Sequence, residues 1–268
     1  DGERVAIGFP TDRPTSGLDA GRWIGSVTVF RRSGTNWVLE QKIFPPALGS
    51  SGSFEANLTG MGFGSALCLD GDRLLAGPLT VNRFGPYNSF NQTAYFYVRS
   101  GTTWTLEGSV SVPTSMSPVQ PYGFCSSVAL DGDNALIAAA NSYQAAEDAV
   151  YYAKRNTTTG DWSIVQRIIP SDPTWSDTDY NLWKFFGWSI ALDGDRALIG
   201  APWDDQKGHD AGAAYVCRLS GSTWVQEAKL VSNAAGRNGT FAAEFMGTAV
   251  SLRAGTAAVS AMNDDSGS

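Results

Sequence analysis

The 268-residue chain carries 26 acidic and 19 basic residues, for a net charge of −7 and a pI near 4.7. That balance excludes a nucleic-acid backbone as the main partner, because such a partner demands a basic face. The length suffices for a large core in one domain, and no apolar run approaches the roughly 18–20 residues of a membrane span.

In chain order, the first short apolar runs are Arg4-Val5-Ala6-Ile7-Gly8 and Ser26-Val27-Thr28-Val29-Phe30, followed by a run opening at Trp37. Phe63 then begins a ten-residue stretch ending in Asp70-Gly71-Asp72, and the chain continues as Arg73–Gly77, Ala94–Val98 and a run from Trp104. The same order returns from Phe124, with Asp131-Gly132-Asp133, Asn134–Ala138, Ala149–Ala153 and Trp162. It returns again from Phe186, with Asp193-Gly194-Asp195, Arg196–Gly200, Ala213–Cys217 and Trp224–Leu230, and a last copy runs from Met246 through Gly255 to Ala257–Met262. The copies start at 63, 124, 186 and 246, and a period held this closely means one structural unit used repeatedly.

Each unit reads as four short strands joined by hairpins, with Asp-Gly-Asp as the turn between the first two. No stretch sustains a helical period, so the chain is predicted to be all-β. Four-stranded antiparallel units of about 61 residues in tandem predict a β-propeller rather than a solenoid, whose coils are shorter and lack hairpins. The unit boundaries are a partial blade over 1–62, blades over 63–123, 124–185 and 186–245, and a partial blade over 246–268, all within a single propeller domain, 1–268. Leu67, Val128, Ile190 and Val250 are expected to occupy equivalent buried positions in successive blades. The predicted strands number seventeen, which is not a multiple of four. The chain is therefore expected to be a segment of a larger ring, its unfinished end units completed by further sequence or by another subunit.

Phe186-Gly187, Ile199-Gly200-Ala201-Pro202 and Gly212-Ala213-Ala214-Tyr215-Val216 together resemble the FG-GAP repeat of integrin alpha-chain propellers and of many secreted microbial proteins. The resemblance spans essentially the whole chain by repetition. The copies are imperfect: Cys125 stands where the third copy's Gly belongs, and Ala138-Ala139-Ala140 replaces its Gly-Ala-Pro. The resemblance implies a propeller, commonly of seven blades, that serves as an extracellular binding platform.

Candidate chemistry is sparse. The Asp-Gly-Asp triplets are read as turns, in which Asp and Gly tolerate the required backbone angles, and they are too short to wrap a calcium ion as the integrin loops do. A second acidic group, Asp204, Asp205 and Asp210, follows Pro202, with Asp12 and Asp19 in comparable places in the first unit and Asp264 and Asp265 in the last. These side chains are expected to bond loop amides, with a calcium site as the competing expectation and no other cofactor. The single histidine, His209, is read as a solvated loop residue.

Cys68, Cys125 and Cys217 fall in three different units and show no zinc spacing; free thiols are expected, with a Cys68–Cys125 bridge as the alternative. Four Asn-x-Thr sequons, at Asn57, Asn91, Asn156 and Asn238, lie in predicted turns or loops and point to a glycosylated, secreted or cell-surface protein. The segment 173–188 gathers aromatics among Asp and Asn; Trp183 and Phe185 are expected to cap a blade edge, with Trp175, Tyr180 and Trp183 as candidate ligand contacts in the competing reading. The function expected is a non-enzymatic extracellular module for protein or glycan binding, adhesion or surface assembly, including self-assembly through terminal blades. The alternative is a secreted propeller enzyme, a hydrolase or lyase, with a carboxylate site at the axis.

Overall fold

The computed structural model describes residues 2–17, 19–46, 62–78, 93–113, 115–116, 123–140, 148–172, 185–208, 210–231 and 244–262. They form seventeen strands and no helix. Strands β1 (Arg4–Phe9), β2 (Ser26–Ser33) and β3 (Asn36–Ile43) make sheet 1. Sheet 2 contains β4 (Phe63–Asp70), β5 (Arg73–Pro78), β6 (Thr93–Ser100) and β7 (Thr103–Ser111). Sheet 3 contains β8 (Phe124–Asp131), β9 (Asn134–Ala139), β10 (Ala149–Arg155) and β11 (Trp162–Ile168). Sheet 4 contains β12 (Ile190–Asp193), β13 (Arg196–Ala201), β14 (Ala213–Ser220) and β15 (Thr223–Val231), and β16 (Val250–Arg253) with β17 (Thr256–Val259) forms sheet 5. Every pairing within a sheet is antiparallel between chain neighbours, which gives propeller-like blades.

Three cores lie between consecutive sheets. Val27, Val29, Phe63, Leu74, Tyr95 and Trp104 join sheets 1 and 2. Leu75, Phe96, Val128, Ile137, Tyr151 and Trp162 join sheets 2 and 3, and Leu136, Tyr152, Phe186, Ile199, Tyr215 and Trp224 join sheets 3 and 4. Strand alternation sends neighbouring side chains to opposite faces. Sheets 2 and 3 therefore each feed two of these cores, and neither face could be buried by one meander alone. The opening Phe meets a third-strand Tyr edge-on in each full unit: Phe63 with Tyr95 at 5.9 Å, Phe124 with Tyr151 at 5.8 Å and Phe186 with Tyr215 at 5.1 Å between ring centroids.

Leu67, Val128, Ile190 and Val250 do share a register, pairing with Ala76, Ile137, Ile199 and Val259. Only Val128 is fully buried, however; the other three are half-buried. The first strand is the open edge of each sheet, so its side chains are covered on fewer sides than those of the second and third strands.

The Asp-Gly-Asp turns close each first hairpin, with Asp70 opposite Arg73, Asp131 opposite Asn134 and Asp193 opposite Arg196. Their first Asp also reaches into the next sheet. Asp70 Oδ2 accepts the Gly132 amide at 2.7 Å, Asp131 Oδ2 accepts the Gly194 amide and Asp193 Oδ2 accepts the Ala254 amide at 2.6 Å. The three cysteines are free thiols, so the Cys68–Cys125 bridge does not form. Burial pushes the Cys217 thiol up to about 12.

A β-bulge recurs at one place in four sheets, between Val29 and Phe30, Phe96 and Tyr97, Tyr152 and Ala153, and Val216 and Cys217. The unpaired fourth-strand residue is Glu40, Glu107, Val165 or Glu227, three positions after the strand's Trp. A bulge re-aims a side chain, and in sheets 1 and 2 it turns the carboxylate toward the following sheet. Trp104 Nε1 donates to Glu40 at 2.8 Å and Trp162 Nε1 donates to Glu107 at 3.0 Å.

Candidate functional site

The residue before each opening pair sits in the left-handed region: Gly62 at φ 62°, Gly123 at 71°, Phe185 at 49° and Phe245 at 50°. Glycine accepts this conformation freely, whereas a bulky side chain loses about 1 kcal/mol or more there. Three residues on, the column reads Ser65, Ser126, Trp188 and Thr248. The hydroxyls in this column hold the turn: Ser65 Oγ donates to Gly62 O at 2.6 Å, Thr248 Oγ1 donates to Phe245 O at 2.6 Å and Ser126 Oγ accepts the Ala140 amide at 3.0 Å. Trp188 has no hydroxyl to donate and keeps the backbone bond to Phe185 O, at 2.9 Å.

A third column changes in the loop after the second strand, where the first unit's Thr11 becomes Trp203 in the fourth. The aromatic residues meet. Phe185 lies 4.5 Å from Trp203 and 5.6 Å from Trp188; Trp188 lies 5.1 Å from Trp203, and Trp203 lies 5.5 Å from Phe245. Phe185 is buried, Trp203 and Phe245 are half-buried, and Trp188 remains 40% exposed. The cluster thus spans the loop end of sheets 4 and 5 and offers an indole to solvent.

The loop from Pro202 to Gly212 carries Trp203 and is fastened at both ends. Phe245 N donates to Asp210 O at 3.0 Å, Met246 N donates to Ala211 O at 3.0 Å, and Gly212 bridges Met246. At its root Asp204, fully buried, accepts Tyr215 OH at 2.9 Å and Lys229 Nζ at 2.8 Å on Oδ2, and the Gln206 amide at 3.1 Å on Oδ1. Tyr215 OH also donates to Asp172 at 3.2 Å. Burial, then the charges of Asp204 and Asp172, raises the Tyr215 phenol far above its ordinary value, so it stays a donor. Sheet 1 repeats the device, with Asp12 accepting Lys42 Nζ, Ser26 Oγ at 2.6 Å and the Arg13 amide at 2.9 Å. Burial alone would raise the Asp12 carboxyl, but these three bonds outweigh it and the carboxyl lies below its ordinary value.

Asp204, Asp205 and Asp210 therefore fall in one loop, and the carboxylates of Asp204 and Asp205 serve it: Asp205 Oδ1 accepts the Asp210 amide at 2.7 Å, as Asp204 Oδ1 accepts the Gln206 amide. A cation at Asp204 would meet the Lys229 ammonium already on Oδ2. Among the described residues no three His, Cys, Asp or Glu side chains are grouped to hold a metal ion. Glu244, one residue before Phe245, is 2% exposed, and its Oε2 has no hydrogen-bond partner among the described residues. Asn156 is exposed in the β10–β11 turn, its Oδ1 accepting the amides of Thr158 at 2.8 Å and Thr159 at 3.2 Å. Asn57, Asn91, Asn238, Trp175, Tyr180, Trp183, His209, Asp264 and Asp265 lie outside the described residues.

Trp203 and Phe245 escape a reading that weighs aromatic density along the chain, because they are isolated in sequence. Aligning the unit columns finds them: aromatics replace Gly, Ser and Thr where sheets 4 and 5 adjoin.

Residues 162–217, from β11 into β14, match the family model described as the FG-GAP repeat. The matched stretch contains Phe185, Trp188, Trp203 and Asp204. The search of curated proteins gave no match. Among the described residues no helix is long and apolar enough to cross a membrane.

Proposed function

We propose that this chain, FG-GAP repeat in character over 162–217, is a non-enzymatic binding module of an extracellular or cell-surface protein. We place its ligand-contacting face at the loop end of sheets 4 and 5. One observation carries this reading: Phe185, Trp188 and Trp203 give up a left-handed glycine and two small hydroxyl residues for an aromatic cluster that stays partly exposed. A departure from a local rule that still leaves an indole in solvent favours a working surface over packing alone. The acidic balance and the sequons agree with a secreted setting and a partner that is a protein or a glycan. In the same reading the five sheets belong to a larger ring, and the open face of sheet 1 receives a further blade-like sheet.

The test is binding of the labelled full chain to intact cells and extracellular matrix of the organism that makes it. Trp188→Ser and Trp203→Thr restore residues found in other units. The double variant should still unfold in one cooperative transition, at a somewhat lower midpoint for the ring contacts it loses, and should lose surface binding. Undiminished binding by a folded double variant would refute the assignment.

A further inference from the structure

The polar groups beside the aromatic cluster narrow the class of ligand. Directly after Trp203 and the buried Asp204, the loop exposes Asp205, Gln206 and Lys207: a carboxylate, an amide and an ammonium in three consecutive positions. Protein-interface cores are depleted in Asp and Lys and rich in buried anchors. Here the opposite pairing occurs, with exposed side chains that carry both donors and acceptors following Trp203 directly along the loop. A sugar ring fits this pairing, since it has an apolar C–H face and a rim of hydroxyls that each donate and accept.

The loop is also held before any ligand arrives, through Asp204 to Lys229 and Tyr215, Asp205 to the Asp210 amide, and Asp210 and Ala211 to the Phe245 and Met246 amides ahead of β16. A fixed platform lowers the ordering cost of binding a flexible polar ligand. The net charge of −7 opposes sulfated or uronic chains and leaves neutral ones.

We propose that the loop end of sheets 4 and 5 binds a neutral glycan. Its sugar rings rest on Trp188 and Trp203, and its hydroxyls bond Asp205, Gln206 and Lys207. This assignment rests on the binding-module reading above and names its ligand class.

The probes are hexaoses of β-1,4-linked glucose, mannose, xylose and N-acetylglucosamine, titrated into the full chain with tryptophan fluorescence and calorimetry as readouts. At least one should bind, and Trp188→Ser or Trp203→Thr should weaken it by about tenfold or more with unfolding still one cooperative transition. Gln206→Ala, on an exposed side chain, should weaken it severalfold without touching the ring cluster. If no hexaose binds the wild type more tightly than about 10 mM, or if the variants bind as well as the wild type, the glycan assignment falls.

A second arm separates this failure from failure of the module reading. Periodate treatment of the cell surface should abolish binding and protease treatment should spare it. The reverse pattern overturns the glycan and leaves a protein-binding module, whereas a surface that never binds the chain overturns both.

Discussion

Two fourth-strand tryptophans donate their indole N–H to a glutamate of the preceding sheet, and a third does not. Trp104 and Trp162 donate to Glu40 and Glu107, while Trp224 faces a sheet whose bulge residue is Val165, and its Nε1 finds no acceptor among the described residues. The backbone of Trp224 is still clamped by Gln166, as that of Trp104 is by Gln41. Val165→Glu should supply the missing acceptor and raise stability by about 1 kcal/mol, read as a higher denaturant midpoint at unchanged slope. A lower midpoint would contradict the role given to the bulge.

Glu40 supplies a pH test at the same scale. Burial pushes its carboxyl up, but bonds from Arg4 and the Trp104 indole outweigh this and hold it below its ordinary value of 4.5. A depressed folded value means the ionised form is favoured by folding. Its contribution is therefore fully present above 4.5 and is lost as the pH falls through the lower folded value. Urea midpoints followed from neutral to about pH 3 should decline less steeply for Glu40→Gln than for the wild type; parallel curves would remove Glu40 from the account.

Elements meet where the first hairpin of one sheet touches the next. The Asp ladder and the columns of small residues let inner strands approach closely, and Gly77 shows how closely. A Cβ added there would lie 2.4 Å from Cys125 Cβ. Cys125 itself holds φ 71° in a column where Gly64, Gly187 and Gly247 stand at 87°, 100° and 92°. Gly77→Ala should cost about 3 kcal/mol by overpacking, and adding Cys125→Gly should recover much of it, a coupling read from a double-mutant cycle. Additive losses would show that the two columns do not touch.

Strand order and the Asp-Gly-Asp turns were legible in the sequence because they depend on neighbours along the chain and recur at a fixed period. The second task of the first Asp was not legible, since its partner lies in the next unit. The partial exposure of Leu67 and Ile190 was likewise invisible, because periodicity reports which face a residue takes and not how much neighbouring structure covers it. The aromatic cluster was half-legible: Phe185 and Trp188 stood in a conspicuous segment, whereas Trp203 and Phe245 join them only through the loop anchored on Asp204 and Asp210.

At the scale of the molecule, sheet 1 keeps an apolar face outward. Val5, Ile7, Phe9 and Trp37 are exposed, Trp37 to 47%, whereas the matching columns are buried in sheet 2 as Leu74, Ala76, Pro78 and Trp104. A contiguous face of this kind favours association. The 268-residue chain should sediment as a concentration-dependent oligomer, and Phe9→Ser with Trp37→Ser should shift it toward monomer. A wild-type monomer across the accessible range would show that this face needs no cover.

The most direct test of the central claim, that the loop end of sheets 4 and 5 is the ligand-contacting face, is hydroxyl-radical footprinting of the chain free and bound to its target surface. Trp188, Trp203 and the 205–208 loop should be protected on binding, with Trp37 oxidised equally in both states. Protection of Trp37 and Val5 to Phe9 with Trp188 unchanged would contradict the claim and move the contact to sheet 1.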